Sequence, residues 1–182
     1  MNKIEPIYIK DFVKNSAEVF KSLYEDLDWV RHGTTPRKEY YCNDHNVPYT
    51  YGSGAFARTY YKKPYTEEIL SIRNDLEKEL NSVLDVCFLN CYEDFSDHLG
   101  WHADDSPEMD MERPIISVSL GSERFIWVKE KGGTEVSKFL LESGSAFIMP
   151  AGMQKTHLHR IPKNDRPCGP RISLTFRGFV KN

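Results

Sequence analysis

Two stretches in the first half of the chain repeat apolar residues at the spacing of one helix face. The first covers residues 15–29, and Asn15 is its predicted N-cap. The second follows Thr66, which is expected to cap it, and carries Glu67 and Glu68 in its first turn. The apolar positions are Val19, Phe20, Leu23, Tyr24 and Leu27 in the first stretch, and Ile69, Ile72, Leu76 and Leu80 in the second. Each pattern predicts a helix with one buried face.

From Val86 onward the apolar residues lie in short segments separated by turn residues such as Gly132-Gly133 and Ser143-Gly144. The predicted strands are 86–92, 115–120, 124–128, 136–141, 145–149 and 171–177. Residues 31–65, which are rich in Tyr, Gly, Pro and His, predict short strands and loops. Helices followed by a run of short strands predict an α+β fold around a β-sandwich or barrel.

Composition adds limits to this picture. The chain has 182 residues, of which 40% are hydrophobic, and this predicts one globular domain. No apolar run approaches the ~20 residues of a membrane span, and the first residues do not form the apolar core of a signal peptide. We therefore expect a soluble, intracellular protein with no membrane partner. No segment stands out as an oligomer interface, so we expect a monomer.

The four cysteines, Cys42, Cys87, Cys91 and Cys168, show neither a CxxC pair nor zinc-knuckle spacing. They are predicted to be free thiols, because a chain of this size can be stabilised by its core alone. The net charge of −3 argues against a strong, nonspecific nucleic-acid binder. If nucleic acid is the partner, modest affinity and a preference for single strands are expected.

The last predicted strand has two different faces. Ile172, Leu174 and Phe176 alternate with a polar face made of Arg171, Ser173, Thr175 and Arg177. Taken alone, this strand favours a polar face exposed to water. If that face points into a barrel, two guanidinium groups about 20 Å apart along the backbone require an anion between them. A small dicarboxylic acid would suit that gap.

A candidate metal site lies upstream of this strand. His102 and Asp104 fall on the same face of extended chain and can share one ion. A third ligand would come from residues 154–162, which contain His157 and His159. Two histidines and one carboxylate suit either a non-haem Fe(II) oxygenase or a zinc hydrolase. The paired arginines favour the oxygenase, since a simple zinc hydrolase does not need to bind a dicarboxylate.

The order of these motifs resembles the AlkB family of Fe(II)- and 2-oxoglutarate-dependent dioxygenases. The H-x-D of His102-Ala103-Asp104 is followed by a distant histidine, His159, and then by R-x-x-L-T-F-R at 171–177. Asn90-Cys91-Tyr92 resembles the family's N-x-Y strand, and the resemblance covers about residues 36–180. It implies that Fe(II), 2-oxoglutarate and O2 are the cofactors.

The resemblance also implies roles for individual residues. The implied iron ligands, which are also the catalytic residues, are His102, Asp104 and His159. The implied 2-oxoglutarate contacts are Asn90, Tyr92, Arg171, Ser173 and Arg177, with Arg171 at the far carboxylate and Arg177 nearer the metal. Ser173 departs from the asparagine that the family usually has there. We expect weaker positioning of the arginines or the metal, with activity retained.

The implied fold is a double-stranded β-helix, or cupin-like jelly roll, with two N-terminal helices packed on it. Within a single domain, residues 1–35 would form a helical extension and 36–85 a substrate-recognition region with a helix. Residues 86–180 would form the catalytic core.

The implied reaction is oxidative demethylation of bases such as 1-methyladenine or 3-methylcytosine in DNA or RNA, which releases formaldehyde, succinate and CO2. The implied base-contacting residues are Arg37, Tyr49, Tyr51 and Asp105. Two alternatives stay open at this point. The same scaffold could hydroxylate a protein, lipid or small molecule, or it could serve as a non-catalytic binding module.

Overall fold

A computed structural model describes residues 4–46, 48–51 and 57–180. The helices among these residues are α1 (Ser16–Asp26), α2 (Glu67–Leu80) and α3 (Met153–Thr156). The first strands are β1 (Ile7–Ile9), β2 (Lys38–Asn43), β3 (Tyr49–Tyr51), β4 (Arg58–Tyr60), β5 (Val86–Tyr92) and β6 (Leu99–His102). The later strands are β7 (Ile115–Gly121), β8 (Arg124–Glu130), β9 (Ser137–Leu141), β10 (Ala146–Met149), β11 (His157–Ile161) and β12 (Arg171–Arg177).

Two antiparallel sheets face each other across a shared apolar core. The major sheet has the strand order β1-β10-β7-β12-β5-β2, and the minor sheet has the order β6-β11-β8-β9. Phe147 and Ile115 of the major sheet lie in one buried cluster with Ile126, Val128 and Leu141 of the minor sheet. This arrangement is the predicted jelly roll within an α+β fold. Strands β3 and β4 form a separate two-stranded ribbon.

Helices α1 and α2 cover the other face of the major sheet. Leu23 of α1 and Leu76 of α2 belong to one core cluster with Leu89 and Leu174 of the sheet. The Thr66 side chain accepts a hydrogen bond from Ile69 N at 3.4 Å, which confirms it as the cap of α2. Buried leucines on both helices therefore fix them on the sheet.

Helix α1 differs from its prediction at both ends. Asn15 occupies the N-cap position, but its side chain makes no capping hydrogen bond, so the predicted side-chain cap is wrong. The helix ends at Asp26, earlier than predicted, because Leu27 is extended. The Trp29 indole donates to Leu23 O at 3.0 Å and so connects the extended segment after the helix to its last turn.

Strand β12 is buried along its whole length. All seven of its residues are buried, so the solvated polar face that the strand alone favours is wrong. Ile172, Leu174 and Phe176 pack into the core beneath the helices. Because side chains alternate along a strand, Arg171 and Arg177 project to the opposite face, between the two sheets.

Two predictions about the chain as a whole can be compared with the structure. All four cysteines are free, as expected, and three of them (Cys42, Cys87 and Cys91) are buried. Among the described residues, no helix is both long enough and apolar enough to span a membrane.

Candidate active site

Three side chains that the sequence predicts as metal ligands meet at one end of the minor sheet. His102 ends β6, and β11 pairs with β6 so that His159 lies directly opposite His102. Asp104 follows β6 and lies beside both imidazoles: His102 Nε2 is 3.9 Å from its Oδ1, and His159 Nε2 is 3.7 Å from its Oδ2. The candidate ligand atoms of the three residues all lie within 4.8 Å of one another. The antiparallel register brings together residues that are far apart in the sequence.

The protonation states of these residues suit a cation. Burial lowers the pKa of His159 to about 3, with a further contribution from His102, and burial also lowers the pKa of His102. Burial by itself raises the pKa of the Asp104 carboxyl, but Arg177, His102 and His159 outweigh it, and the net pKa is lowered. At neutral pH the site holds two neutral imidazoles and one carboxylate, which are the forms that bind metal ions.

Backbone and side-chain partners orient the ligands. His102 Nδ1 is 2.8 Å from Gly100 O, which leaves Nε2 directed towards Asp104. The amide oxygen of Gln154 accepts a hydrogen bond from Asp104 N at 3.0 Å. Partners of this kind fix the direction in which a ligand presents its lone pair. Gln154 lies within the segment considered for a third ligand, but its positioning role was not predicted.

Arg171 lies at one end of β12 and is fully buried. Its Nη2 donates to Ser119 Oγ at 2.8 Å, whereas its buried Nε and Nη1 have no hydrogen-bond partner among the described residues. Burial lowers its pKa to about 10, so the guanidinium is still charged at neutral pH. A buried cation with two unused donors matches one carboxylate of a dicarboxylic acid.

Arg177 lies at the other end of β12 and points to the metal site. Its Nη2 is 2.9 Å from Asp104 Oδ1. Between the two arginines, Ser173 Oγ lies 3.0 Å from Ser117 Oγ. The shorter side chain that replaces the family asparagine is therefore engaged with the neighbouring strand.

Tyr92, another predicted 2-oxoglutarate contact, lies beside two guanidinium groups. Arg171 is 5.3 Å from the centre of its ring, and Arg124 is 5.5 Å from it. Arg124 is itself buried and donates to the carbonyl oxygens of Asp97 and Pro162. Two positive charges therefore surround the Tyr92 end of the interior, where the far carboxylate of a dicarboxylic acid would be neutralised.

A cleft opens beside the metal ligands and contains three of the four predicted base-contacting residues. Arg37, Tyr49 and Tyr51 line it together with His102 and Asp104. Tyr49 is buried, and its hydroxyl is 3.0 Å from Ser106 Oγ. Gly52, which follows Tyr51 in the motif that resembles an aromatic lid, lies outside the described residues.

Asp105, the fourth predicted base contact, lies elsewhere. Its carboxylate is exposed and 3.1 Å from Lys131 Nζ, and it is not among the residues that line the cleft. A different carboxylate, that of Glu39, lines the cleft and is 2% exposed. Sequence reasoning missed Glu39, although it stands two residues after Arg37, which directly precedes β2.

Glu39 is the centre of a hydrogen-bonded group. Its Oε1 accepts from Arg37 Nη2 at 2.9 Å, and its Oε2 accepts from the Tyr60 hydroxyl at 2.9 Å. Arg37 Nε in turn donates to Asn90 Oδ1 at 2.8 Å. The cleft wall therefore combines a cation and a carboxylate that hydrogen bonds hold in place beside the polar edge of any bound ligand.

The donor set can be tested against the cofactors that the resemblance implies. Two neutral imidazoles and one carboxylate form the facial triad that suits Fe(II). The unused N–H groups of Arg171 suit the far carboxylate of 2-oxoglutarate. The residues present therefore fit both groups.

The fold and the site define a jelly-roll protein with a facial triad and a buried cationic pocket. The family model of the 2OG-Fe(II) oxygenase superfamily matches residues 8–177. The chain belongs to this superfamily, which implies that Fe(II), 2-oxoglutarate and O2 are its cofactors, as predicted.

Individual relatives confirm the resemblance to the AlkB family. The chain is 28% identical to alpha-ketoglutarate-dependent dioxygenase alkB homolog 3 of Bos taurus, with 91% of this chain and 62% of the relative covered. It is 27% identical to the DNA oxidative demethylase ALKBH2 of Bos taurus, with coverages of 90% and 64%. The chain thus spans just over three fifths of the length of these relatives. A solved structure of OsALKBH1 shares the fold, with a TM-score of 0.69, 18% identity and 98% of each chain covered.

Proposed function

We propose that this protein is an Fe(II)- and 2-oxoglutarate-dependent dioxygenase that removes methyl groups from alkylated bases of DNA or RNA. The observation that carries the proposal is the position of the two buried arginines of β12. One contacts the candidate metal ligand Asp104, and the other keeps two donors unused in the same interior. One end of β12 thereby faces the candidate metal ligands, and its other end faces the proposed site for a dicarboxylate.

In this proposal His102, Asp104 and His159 hold the iron. When bound, Fe(II) with 2-oxoglutarate and O2 supplies the oxidation of an N-methyl carbon, which is then lost as formaldehyde. The chain itself contributes ligands in the correct protonation state, with Arg177 keeping Asp104 ionised. Burial of Asp104 and His159 also limits the access of water to the metal.

Arg171 and Arg177 are the proposed binding groups for 2-oxoglutarate. Arg171 would bind its far carboxylate through Nε and Nη1, while Ser119 keeps the guanidinium in place through Nη2. Arg177 would lie at the metal end. Asn90, Tyr92 and Ser173 complete the proposed set, each of them being buried on β5 or β12.

The cleft lined by Arg37, Tyr49 and Tyr51 is the proposed site for a base that has left its stack. Aromatic side chains offer a surface for stacking, and Arg37 offers donors to the base edge. A carboxylate would favour a base made cationic by methylation. Glu39 provides one inside the cleft, and the exposed Asp105, which does not line the cleft, stays a second candidate.

The relatives favour nucleic acid over a protein, lipid or metabolite substrate, because ALKBH2 is a DNA oxidative demethylase by name. The net charge of −3 supports a single-stranded target bound with modest affinity. We propose this preference together with a monomeric state.

The test uses oligonucleotides that carry 1-methyladenine or 3-methylcytosine, both single- and double-stranded, with Fe(II) and 2-oxoglutarate. Mass spectrometry follows the methyl group, and succinate is measured in the same sample. We expect methyl loss that requires both cofactors and is faster on single strands. His102→Ala, Asp104→Ala and His159→Ala should each abolish it, while Lys21→Gln on the exposed side of α1 should not. Demethylation that survives all three ligand substitutions would exclude the proposal.

A further inference from the structure

The outer face of the minor sheet carries a row of alternating aromatic and cationic side chains. Arg160 pairs with Trp127, and Trp127 pairs with Lys138 across three adjacent strands. Trp101 extends the row on β6, because its neighbour His102 pairs with His159. We call these four residues and Lys129, which lies two positions after Trp127, the cationic strip.

Each cation of the strip lies over a tryptophan ring. Lys138 Nζ is 4.5 Å from the ring centre of Trp127, and Arg160 is 5.2 Å from the same ring. Arg160 is also 5.6 Å from the Trp101 ring, over which Lys129 Nζ lies at 4.8 Å. These contacts hold the long side chains in defined positions on the surface.

The charges of the strip are not neutralised by acidic partners. Lys129, Lys138 and Arg160 form no ion pair with any described carboxylate, and the buried Nε of Arg160 has no hydrogen-bond partner among the described residues. Along β6, β8, β9 and β11, which are described throughout, no Asp or Glu stands at an outward position of the alternation. This face therefore carries three positive charges without ion-pair partners, although the chain as a whole has a net charge of −3.

The rest of this face is apolar. Phe125 and Leu140 pair across β8 and β9 and are 43% and 40% exposed. Cation–π contacts could serve only to stabilise the sheet, but that role requires neither uncompensated charge nor exposed apolar neighbours. The combination of cations with aromatic surface is that of a site for single-stranded nucleic acid, in which phosphates bind the cations and bases contact the rings.

We infer that the cationic strip binds the phosphodiester backbone of a single-stranded nucleic acid outside the catalytic cleft. This inference rests on the proposed function for the identity of the polyanion. The strands β6 and β11 carry His102 and His159 on their inner side and Trp101 and Arg160 on their outer side. A strand with one base in the cleft can therefore pass around β6, the edge strand of the minor sheet, and continue over the strip.

The first test measures, by fluorescence anisotropy, the binding of an unmodified single-stranded oligonucleotide of about 12 nucleotides. This length spans several phosphate contacts. The variant Lys129→Gln/Lys138→Gln is compared with Lys21→Gln/Lys78→Gln, which removes the same charge from exposed positions on α1 and α2. We expect affinity at 0.1 M salt to fall on the order of tenfold for the strip variant only. The slope of log affinity against log salt should decrease by about 1.4, since each phosphate contact contributes about 0.7.

Tryptophan emission provides a second readout. Two of the three tryptophans lie in the strip, so the bound oligonucleotide should change the emission of the wild-type protein and of the control variant. Equal loss of affinity in both variants, or unchanged affinity in the strip variant, would overturn the inference. Binding to vesicles that contain phosphatidylserine, without binding to the oligonucleotide, would also overturn it.

A third measurement separates this inference from the proposed function. A methylated trinucleotide is expected to bind in the cleft without crossing the strip, so both variants should demethylate it at the wild-type rate. If no substrate is demethylated but the oligonucleotide of about 12 nucleotides still binds in a strip-dependent way, the proposed function is excluded and the strip remains a binding site. If the strip variant demethylates long substrates at the wild-type rate, the proposed function stands and the inference about the strip is overturned.

Discussion

Gln154 accepts a hydrogen bond from the backbone N–H of Asp104 across a separation of 50 residues, at 3.0 Å. Its amide nitrogen lies 3.3 Å from Met149 Sδ, so both ends of the buried amide are engaged. Gln154 belongs to α3, which leads directly into β11 and its candidate ligand His159. One side chain thus connects the loop that carries the carboxylate ligand to the segment that presents the distal imidazole.

We expect Gln154→Leu to weaken metal binding by about 10- to 100-fold, because it frees the loop that positions Asp104. The unsatisfied N–H should also lower the free energy of unfolding by about 1–3 kcal/mol. Titration with Mn(II), followed by calorimetry, measures the affinity, and urea unfolding of the metal-free protein measures stability. The control is Lys155→Gln, which changes only an exposed ion pair with Glu112. Lower stability with unchanged Mn(II) affinity would show that Gln154 supports the fold alone.

Arg171→Gln is expected to weaken 2-oxoglutarate binding by about 10- to 100-fold, in line with about 1.5–3 kcal/mol for a charged hydrogen bond. Ser119→Ala should have a smaller effect, since it removes the partner of Nη2 and leaves the charge. Both dissociation constants can be measured by calorimetry with Mn(II) in place of Fe(II). Arg166→Gln, at an exposed position, is the matched control. An unchanged dissociation constant in Arg171→Gln would place the dicarboxylate elsewhere.

Most strands of the two sheets were predictable because their apolar residues are grouped between clear turn residues. The strands β1, β6 and β11 are absent from the prediction. β5 and β12 have the predicted bounds. The side of β12 that would be covered was not predictable from β12 alone, because alternation defines two faces and leaves open what packs on each. The other motifs of the chain indicated that the arginine face is internal.

Residues that act through their neighbours were harder to find. Ser119 and Glu39 occupy internal positions of β7 and β2, and their importance depends on which strand lies beside them. The register that places Ser119 near Arg171 comes from pairing between β7 and β12, which are distant in the sequence. Gln154 accepts from the backbone N–H of Asp104, and a contact to backbone leaves no pattern in the sequence around either residue. Local patterns identify chemical groups, whereas long-range pairing assigns their partners.

Glu39→Gln should reduce the demethylation of cationic bases by at least tenfold, because a neutral amide keeps the size of the side chain and loses its charge. Bases that carry a neutral methylated nitrogen should be affected less, since they gain less from a carboxylate. The comparison is Asp105→Asn, which alters an exposed carboxylate paired with Lys131 outside the cleft. Competition between 3-methylcytosine and a neutral methylated base in one reaction measures the ratio of the two demethylation rates directly. A larger effect of Asp105→Asn would make Asp105 the residue that recognises the charge.

Cysteine reactivity should divide the thiols into two groups. Burial raises the pKa of Cys42 and of Cys91 to about 12, and the pKa of Cys87 well above its usual value. At pH 8 these thiols are almost entirely protonated and enclosed, so iodoacetamide should not modify them in the native protein. Cys168, which is partly exposed, should be labelled, and all four should react in urea. Peptide mapping identifies the sites, and rapid native labelling of Cys42 would contradict the buried position of β2.

The same buried thiols should make the fold less stable in alkaline solution. Their pKa values are higher in the folded state than the ordinary value of about 9, so the unfolded chain releases protons first as the pH rises. Stability is therefore fully present below about pH 9 and is lost as the pH rises towards about 12. Urea unfolding at about pH 8, below this window, and at about pH 9.5 and 10.5, in its lower half, should show a free energy of unfolding that falls as the pH rises. Cys91→Ala should make the decline shallower, and an identical slope in that variant would exclude Cys91 as a contributor.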